Sequence, residues 1–172
     1  MPKFSDGHYK RQLGKASDVT GAASVGDIYL NAVIDVYDGV APNDANDAIT
    51  TQTLIGRITL NGGAFTEGVS TNGLVFDVPV ITGSGNTKAV SLPKPPLALW
   101  AIVAGTLSGS KTATFARLRG NAADSGALST TLPRVQMTVS DSNGTGELKL
   151  SSTVFVTGTV RLVESFEVTM GG

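Results

Sequence analysis

Residues 134–150 read R-V-Q-M-T-V-S-D-S-N-G-T-G-E-L-K-L, and the fold turns on how this stretch pairs with itself. Val135, Met137 and Val139 alternate with polar neighbours, the period of a strand with one buried face. Asp141-Ser142-Asn143-Gly144-Thr145-Gly146 follows, centred on Asn-Gly. Both residues tolerate the backbone of a tight reversal, so the pair is a strong hairpin signal. Leu148 and Leu150 then resume the alternation. The expectation is a strand, a hairpin and a returning strand.

The same grammar extends in both directions. Lys111–Arg119 (K-T-A-T-F-A-R-L-R) alternates Ala113, Phe115, Arg117 and Arg119 with Thr114, Ala116 and Leu118, giving one partly polar face. Residues 160–170 alternate Leu162, Glu164, Phe166, Val168 and Met170 with charged neighbours. Thr53–Leu60 (T-L-I-G-R-I-T-L) reads as a strand with Leu54, Ile58 and Leu60 on one face. Its Gly56 marks a place where a neighbouring backbone can approach. Asp27–Tyr37 reads as one strand, or two with a bend, ended by the turn signal Asp38-Gly39. Gly73–Val80 reads as another strand, pushed to a sheet edge or ended by Pro79. Residues 88–96 are proline-rich and suit a crossing between two sheets. Leu97–Leu107 is the most apolar run. Its alanines favour a short helix, but Gly105, the β-branched pair Ile102-Val103 and the preceding prolines favour a strand, with Trp100 buried.

Composition agrees. The 172 residues include 21 Gly, 20 Thr and 15 Ser, with 16% charged residues against roughly 25% in an average soluble domain. Strands at intervals of about 8–12 residues with turn chemistry between them predict an all-β protein, an antiparallel β-sandwich or jelly-roll-like domain. That domain spans 27–172. Residues 1–26 lack a sustained apolar period and read as an extended N-terminal arm. The arm begins basic: within residues 1–15, Lys3, Lys10, Arg11 and Lys15 face only Asp6, so this stretch carries +3 of a formal net charge of -1, and the other 157 residues carry -4. Lys3, His8, Lys10, Arg11 and Lys15 are therefore the candidate partner-binding residues, and removing residues 1–25 is expected to leave a folded domain.

Several chemistries are excluded. The chain has no cysteine and one histidine, so it has no disulfide framework, no thiolate and no multi-histidine metal site. His8 on an arm is a poor catalytic base, because such catalysis needs fixed geometry. Asp44 and Asp47 sit in a loop where short acids serve turn conformations. The loop lacks the spacing of a calcium site, and 141–147 is closer to a hairpin than to a metal loop. Glycine-rich 83–85 and 144–146 are not phosphate loops. Lys111, Arg117, Arg119 and Arg134 form a basic face without the interleaved aromatics of a nucleic-acid platform; Arg117 and Arg119 are expected to pair with carboxylates or to contact a partner. No apolar run is long enough to span a membrane, and the N-terminus lacks a signal-peptide core. No enzyme and no cofactor is expected.

Several segments together resemble small β-rich virion structural proteins of tailed bacteriophages. Val36-Tyr37-Asp38-Gly39-Val40-Ala41-Pro42, an Asn/Asp/Ala-rich loop and Thr53–Leu60 are similar to "IY-x-G-x-x-P", a loop and "TLLATLTL". Phe115-Ala116-Arg117-Leu118 is similar to "W-F-R-L", Pro133-Arg134-Val135 to the start of "PRIDGTV", and Glu147–Thr153 to "ADLxLSST". Residues 160–169 are similar to "VTISSFTLT". The resemblance covers about 28–170. The departures are Ala116 and the long polar arm. It implies a β-rich structural protein of the particle, without placing it on the capsid, neck or tail; the expectation favoured here is a decoration or cement protein made in the host cytoplasm and bound to the outer capsid surface. Its partners would be the major capsid protein and further copies of itself, a trimer being favoured by the threefold sites of shells. A neck or tail component is the alternative. A carbohydrate-binding module, stacking sugars on Tyr29 or Tyr37, is a more distant one.

Overall fold

The structure, a computed structural model, describes residues 2–6, 25–78, 80–82 and 89–171. They form twelve strands and one helical turn: β1 (Lys3–Phe4), α1 (Val25–Ile28), β2 (Val33–Asp38), β3 (Thr53–Leu60), β4 (Val80–Thr82), β5 (Ala89–Pro93), β6 (Trp100–Ala104), β7 (Lys111–Thr112), β8 (Phe115–Arg119), β9 (Arg134–Asp141), β10 (Leu148–Leu150), β11 (Val154–Phe155) and β12 (Val160–Gly171).

The protein is all-β, but the sheet closes on itself instead of splitting into the two layers of a sandwich or jelly roll. The order β9-β8-β2-β3-β6-β12 is completed by β10, which pairs with both β12 and β9. The result is a seven-stranded barrel, and closure removes the exposed edges that an open sheet must protect. The closing strand is where the hairpin expectation fails. β10 runs parallel to β9, with Leu148 beside Val139 and Leu150 beside Asp141. After the turn that bonds Gly144 N–H to the Asp141 carbonyl, the chain reverses a second time. Two glycines allow this. A Cβ on Gly144 would lie 2.4 Å from Ser140 Cβ, and one on Gly146 would lie 2.7 Å from the Ser140 nitrogen. The Glu147 carboxylate then accepts the Thr138 N–H at 2.8 Å and the Thr138 hydroxyl. The loop therefore lies on its own strand, and β10 is delivered into the gap beside β12.

β12 explains the rest of the topology. Val160–Leu162 pair with β6, Val163–Phe166 with β10, and Glu167–Gly171 with β5. Its last third leaves the barrel and, with β5 and β4, makes a three-stranded extension. The proline-rich segment is thus partly a strand and not only a crossing.

The barrel is filled by alternating residues: Ile34 and Val36 from β2, Ile58 from β3, Trp100, Ile102 and Ala104 from β6, Ala116 and Leu118 from β8, Val135 and Met137 from β9, and Leu148 and Leu150 from β10. Leu97–Leu107 contains a strand, and Trp100 is fully buried. Its ring packs edge-on against Phe76 and tilted against Phe166, with centroids 5.2 and 5.5 Å apart; such pairs add about 0.5–1.5 kcal/mol each beyond burial. Gly56 has the role its position predicts, since a Cβ there would meet the Val103 carbonyl oxygen at 2.5 Å. Two local expectations change. A bulge between Val36 and Tyr37 makes Ile55 an extra residue, so Ile55 is buried and Leu54 is turned outward. Asp27–Tyr37 is not strand throughout: α1 and a left-handed Asn31 precede β2, while Ile28 and Tyr29 pack into the core. Gly73–Val80 contributes only the bridge of Leu74 to Ala32 before β4 begins.

Candidate functional site

The most elaborate polar constellation lies on the outside of the barrel wall. Strand alternation sends Asp35 outward from β2, Arg117 and Arg119 from β8, and Arg134 and Gln136 from β9. All five are nonetheless buried, because three loops, 39–52, 61–72 and 121–133, lie over them. The loops are tied to one another: Ile49 N–H bonds the Gly126 carbonyl at 2.8 Å, Ser129 N–H the Asn46 carbonyl at 2.9 Å, and Gly68 N–H the Asn121 carbonyl at 2.9 Å.

Each arginine holds at least one loop. Arg134 forms a two-pronged pair with Asp124, Nε to Oδ2 at 2.7 Å and Nη2 to Oδ1 at 2.5 Å, and also reaches the Ala127 carbonyl at 2.9 Å. Arg119 donates from Nε to Asp35 at 2.9 Å. Its Nη2 lies 3.2 Å from Glu67, an ion pair without an aligned hydrogen bond, and its guanidinium sits 5.5 Å from the Phe65 ring centroid. Arg57 takes the other oxygen of Asp35 at 2.8 Å. Arg117 has no carboxylate among the described residues. It donates to the Asp47 carbonyl at 2.9 Å and to Gln136 at 2.8 Å, and its Nε is unpartnered. Gln136 passes the chain on to the Pro42 carbonyl at 2.6 Å.

The ionisation of these groups follows from their surroundings. Burial pushes the Arg117 pKa down, and Arg134 nearby adds to the effect. For Asp124 burial acts to raise the pKa, but the Arg134 and Gly126 hydrogen bonds outweigh it and hold the carboxyl below its usual range. Tyr37, stacked on Phe115 at 5.0 Å, is pushed up to about 12 by burial and then by Asp35. Both oxygens of Asp35 and of Asp124 accept hydrogen bonds from arginines. Asp124, held this way, is a poor proton acceptor. The constellation fixes loops.

The sequence-derived candidates fare unevenly. Lys3 is placed, and it is engaged with its own barrel: β1 adds to β9 beside Gln136, and Lys3 Nζ donates to the Asn43 carbonyl at 2.7 Å. Ser5 is buried, its hydroxyl accepting the Arg134 N–H at 2.7 Å. The start of the arm is thus part of the barrel, and removing residues 1–25 would cost these contacts. His8, Lys10, Arg11 and Lys15 lie outside the described residues. The three arginines of the basic face form a buried layer: Arg119 pairs with a carboxylate as expected, whereas Arg117, for which the same was expected, meets only the Asp47 carbonyl and Gln136 among the described residues; Arg134 pairs with Asp124, and the partly exposed Lys111 lies 3.5 Å from Asp38. Asp44 and Asp47 do serve the turn: Asp44 N–H bonds Asp47 Oδ2 at 2.9 Å and Asn46 N–H bonds Asp44 Oδ1 at 2.8 Å. The sequence reading missed Asp35 and Asp124 as partners. The only signal for Asp35 was an acid in the middle of an apolar strand.

A cleft of about 560 Å³ lies where β12 leaves the barrel, with Lys94, Lys149, Glu147, Glu164 and Phe166 on its walls. Its charges balance, and Glu147 is committed to Thr138. Among the described residues no group of three or more His, Cys, Asp or Glu is placed to hold a metal ion, and no helix is long and apolar enough to cross a membrane.

Fold and site together define a closed all-β barrel with loops clamped to its outer wall by buried arginines. No family model, curated protein or solved structure matches the chain.

Proposed function

We propose that this protein is a structural component of a tailed-bacteriophage particle, acting as a decoration or cement protein that binds the outer surface of the major capsid shell and stabilises it. The observation that carries the reading is where the resembling segments fall. They coincide with β2, β3, β8, β9, β10 and β12, the scaffold of the barrel, and the arginines within them, Arg117 and Arg134, are ones that clamp the loops. The likeness thus resides in what makes the barrel rigid and its loops fixed, which is what a load-carrying, non-catalytic component needs. Loops held in place before contact spare the ordering cost of binding. A contact of about 800 Å² per partner, repeated over many copies, reinforces a shell beyond what one contact does. The remaining arm residues, His8, Lys10, Arg11 and Lys15, would meet acidic shell surface.

The second reading is a neck or tail component, favoured by the extension of β4, β5 and the end of β12, which gives a ring-forming protein a strand to share with its neighbour. Sugar binding gains no such support, since Tyr29, Tyr37 and Trp100 are buried. The test is to incubate purified protein with emptied shells and measure bound copies and rupture temperature. Saturation at hundreds of copies with a raised rupture temperature supports decoration. About a dozen copies supports the neck or tail. Absence of binding to either shells or tails overturns both.

A further inference from the structure

We infer that the bare outer face of β6 and β12 is the surface through which two copies of this chain associate. The barrel wall is inverted with respect to polarity. Beneath the loops its outward side chains are arginines, Asp35 and Gln136, all buried. On the outward face of β6 and β12 they are Val103, Val160 and Leu162, with Leu99 continuing the alternation, and these are 43–53% exposed. Register makes them neighbours along β12, because Val103 lies directly opposite Val160 and Leu162 is the next outward residue of β12; Ala101, opposite Leu162, is covered beside the Gly62 turn. Scattered exposed aliphatics need no explanation; a continuous strip on a sheet face marks a contact.

The flanks identify the occupant. On one side Arg57 of β3 stands opposite Val103. Its Nε is held by Asp35, its side chain is 38% exposed, and its two Nη atoms make no hydrogen bond among the described residues. On the other side Glu164 follows Leu162 along β12, exposed and without an ion pair among the described residues. A cation at one corner, an anion at the opposite corner and aliphatics between them form a surface complementary to itself. A two-fold rotation lays strip on strip and brings Arg57 of each copy to Glu164 of the other, the symmetric arrangement of an isologous dimer. The formal net charge of -1 offers little repulsion to oppose it. Such a contact closes at two copies, which departs from the trimer that shell symmetry suggests.

This inference goes beyond the proposed function, and its test contains no shell, so either can fail while the other stands. Sedimentation equilibrium of the full chain should give twice the 17.6 kDa protomer mass at about 10–100 µM. Val160→Lys and Leu162→Asp, both at exposed positions, should keep the circular dichroism spectrum and raise the dissociation constant at least about tenfold. Glu164→Arg should weaken the dimer as well, by a factor that shrinks in high salt. A wild-type monomer, a three-copy mass, or a dimer indifferent to Val160→Lys and Leu162→Asp overturns the inference.

Discussion

Replacing Gly146 by alanine tests the reasoning behind barrel closure. The added methyl would lie 2.7 Å from the Ser140 nitrogen and 2.8 Å from the Val139 carbonyl carbon. Both are backbone atoms of β9, itself held by β8, so they cannot step aside as a side-chain tip can. Forcing a methyl into a packed site costs about 1–3 kcal/mol. If the loop lifts instead, Glu147 moves away from Thr138. A hydrogen bond to a charged group contributes about 1.5–3 kcal/mol, and less here because Glu147 is partly exposed. Either route predicts a loss of about 1–3 kcal/mol, or roughly 2–12 °C in melting temperature for a chain of this length. The loss should be local in origin, with amide exchange rising first in Leu148–Leu150. Gly105→Ala is the control: its nearest contact would be the Ile55 carbonyl oxygen at 3.7 Å, ordinary packing, and its effect should stay within about 0.5 kcal/mol. Urea titrations of the two variants decide the matter. If Gly146→Ala is as stable as Gly105→Ala, the account of closure through the glycine contacts is wrong.

Two further outcomes follow from the clamp and its ionisation. Arg134→Ala leaves Asp124 buried without its counter-charge and should cost about 3–5 kcal/mol, with new protease cleavage in 121–133; Arg134→Lys should not restore stability, since an ammonium cannot reproduce the two-pronged contact. The pH dependence should show two limbs. Glu147 has its pKa lowered: burial opposes ionisation, but the Thr138 bonds prevail, so its contribution is full above the ordinary glutamate pKa and is lost as pH falls through the lower folded value. Tyr37, raised to about 12, contributes fully below about pH 10, and its contribution fades as pH rises from there through about 12. Thermal melts across both ranges should fall at each end, and Tyr37→Phe should flatten the alkaline limb alone.

The sequence legibly encodes strands wherever one side of the chain meets the core. Val135, Met137, Ala116 and Leu118 point inward as their alternation requires, because a period of two is a property of the extended backbone itself. Gly56 and the buried Trp100 were readable for the same reason: a missing Cβ and an apolar run each have one physical use. The direction of β10 was not readable. Asn143-Gly144 fixes a reversal, but whether one reversal or two occurs depends on how closely Gly144 and Gly146 can lie on Ser140 and on the space left beside β12. The same holds for the outer wall. The charges of Arg117, Arg119 and Arg134 are visible in the sequence, but whether a charge is solvated or buried depends on loop contacts made by residues as far as 88 positions away along the chain. Local chemistry therefore set the elements of this protein. Only tertiary structure decided that the sheet closes, that its outward-facing arginines are buried under loops, and that Val103, Val160 and Leu162 stay exposed on another part of the wall, because those outcomes arise from contacts between segments that no local pattern encodes.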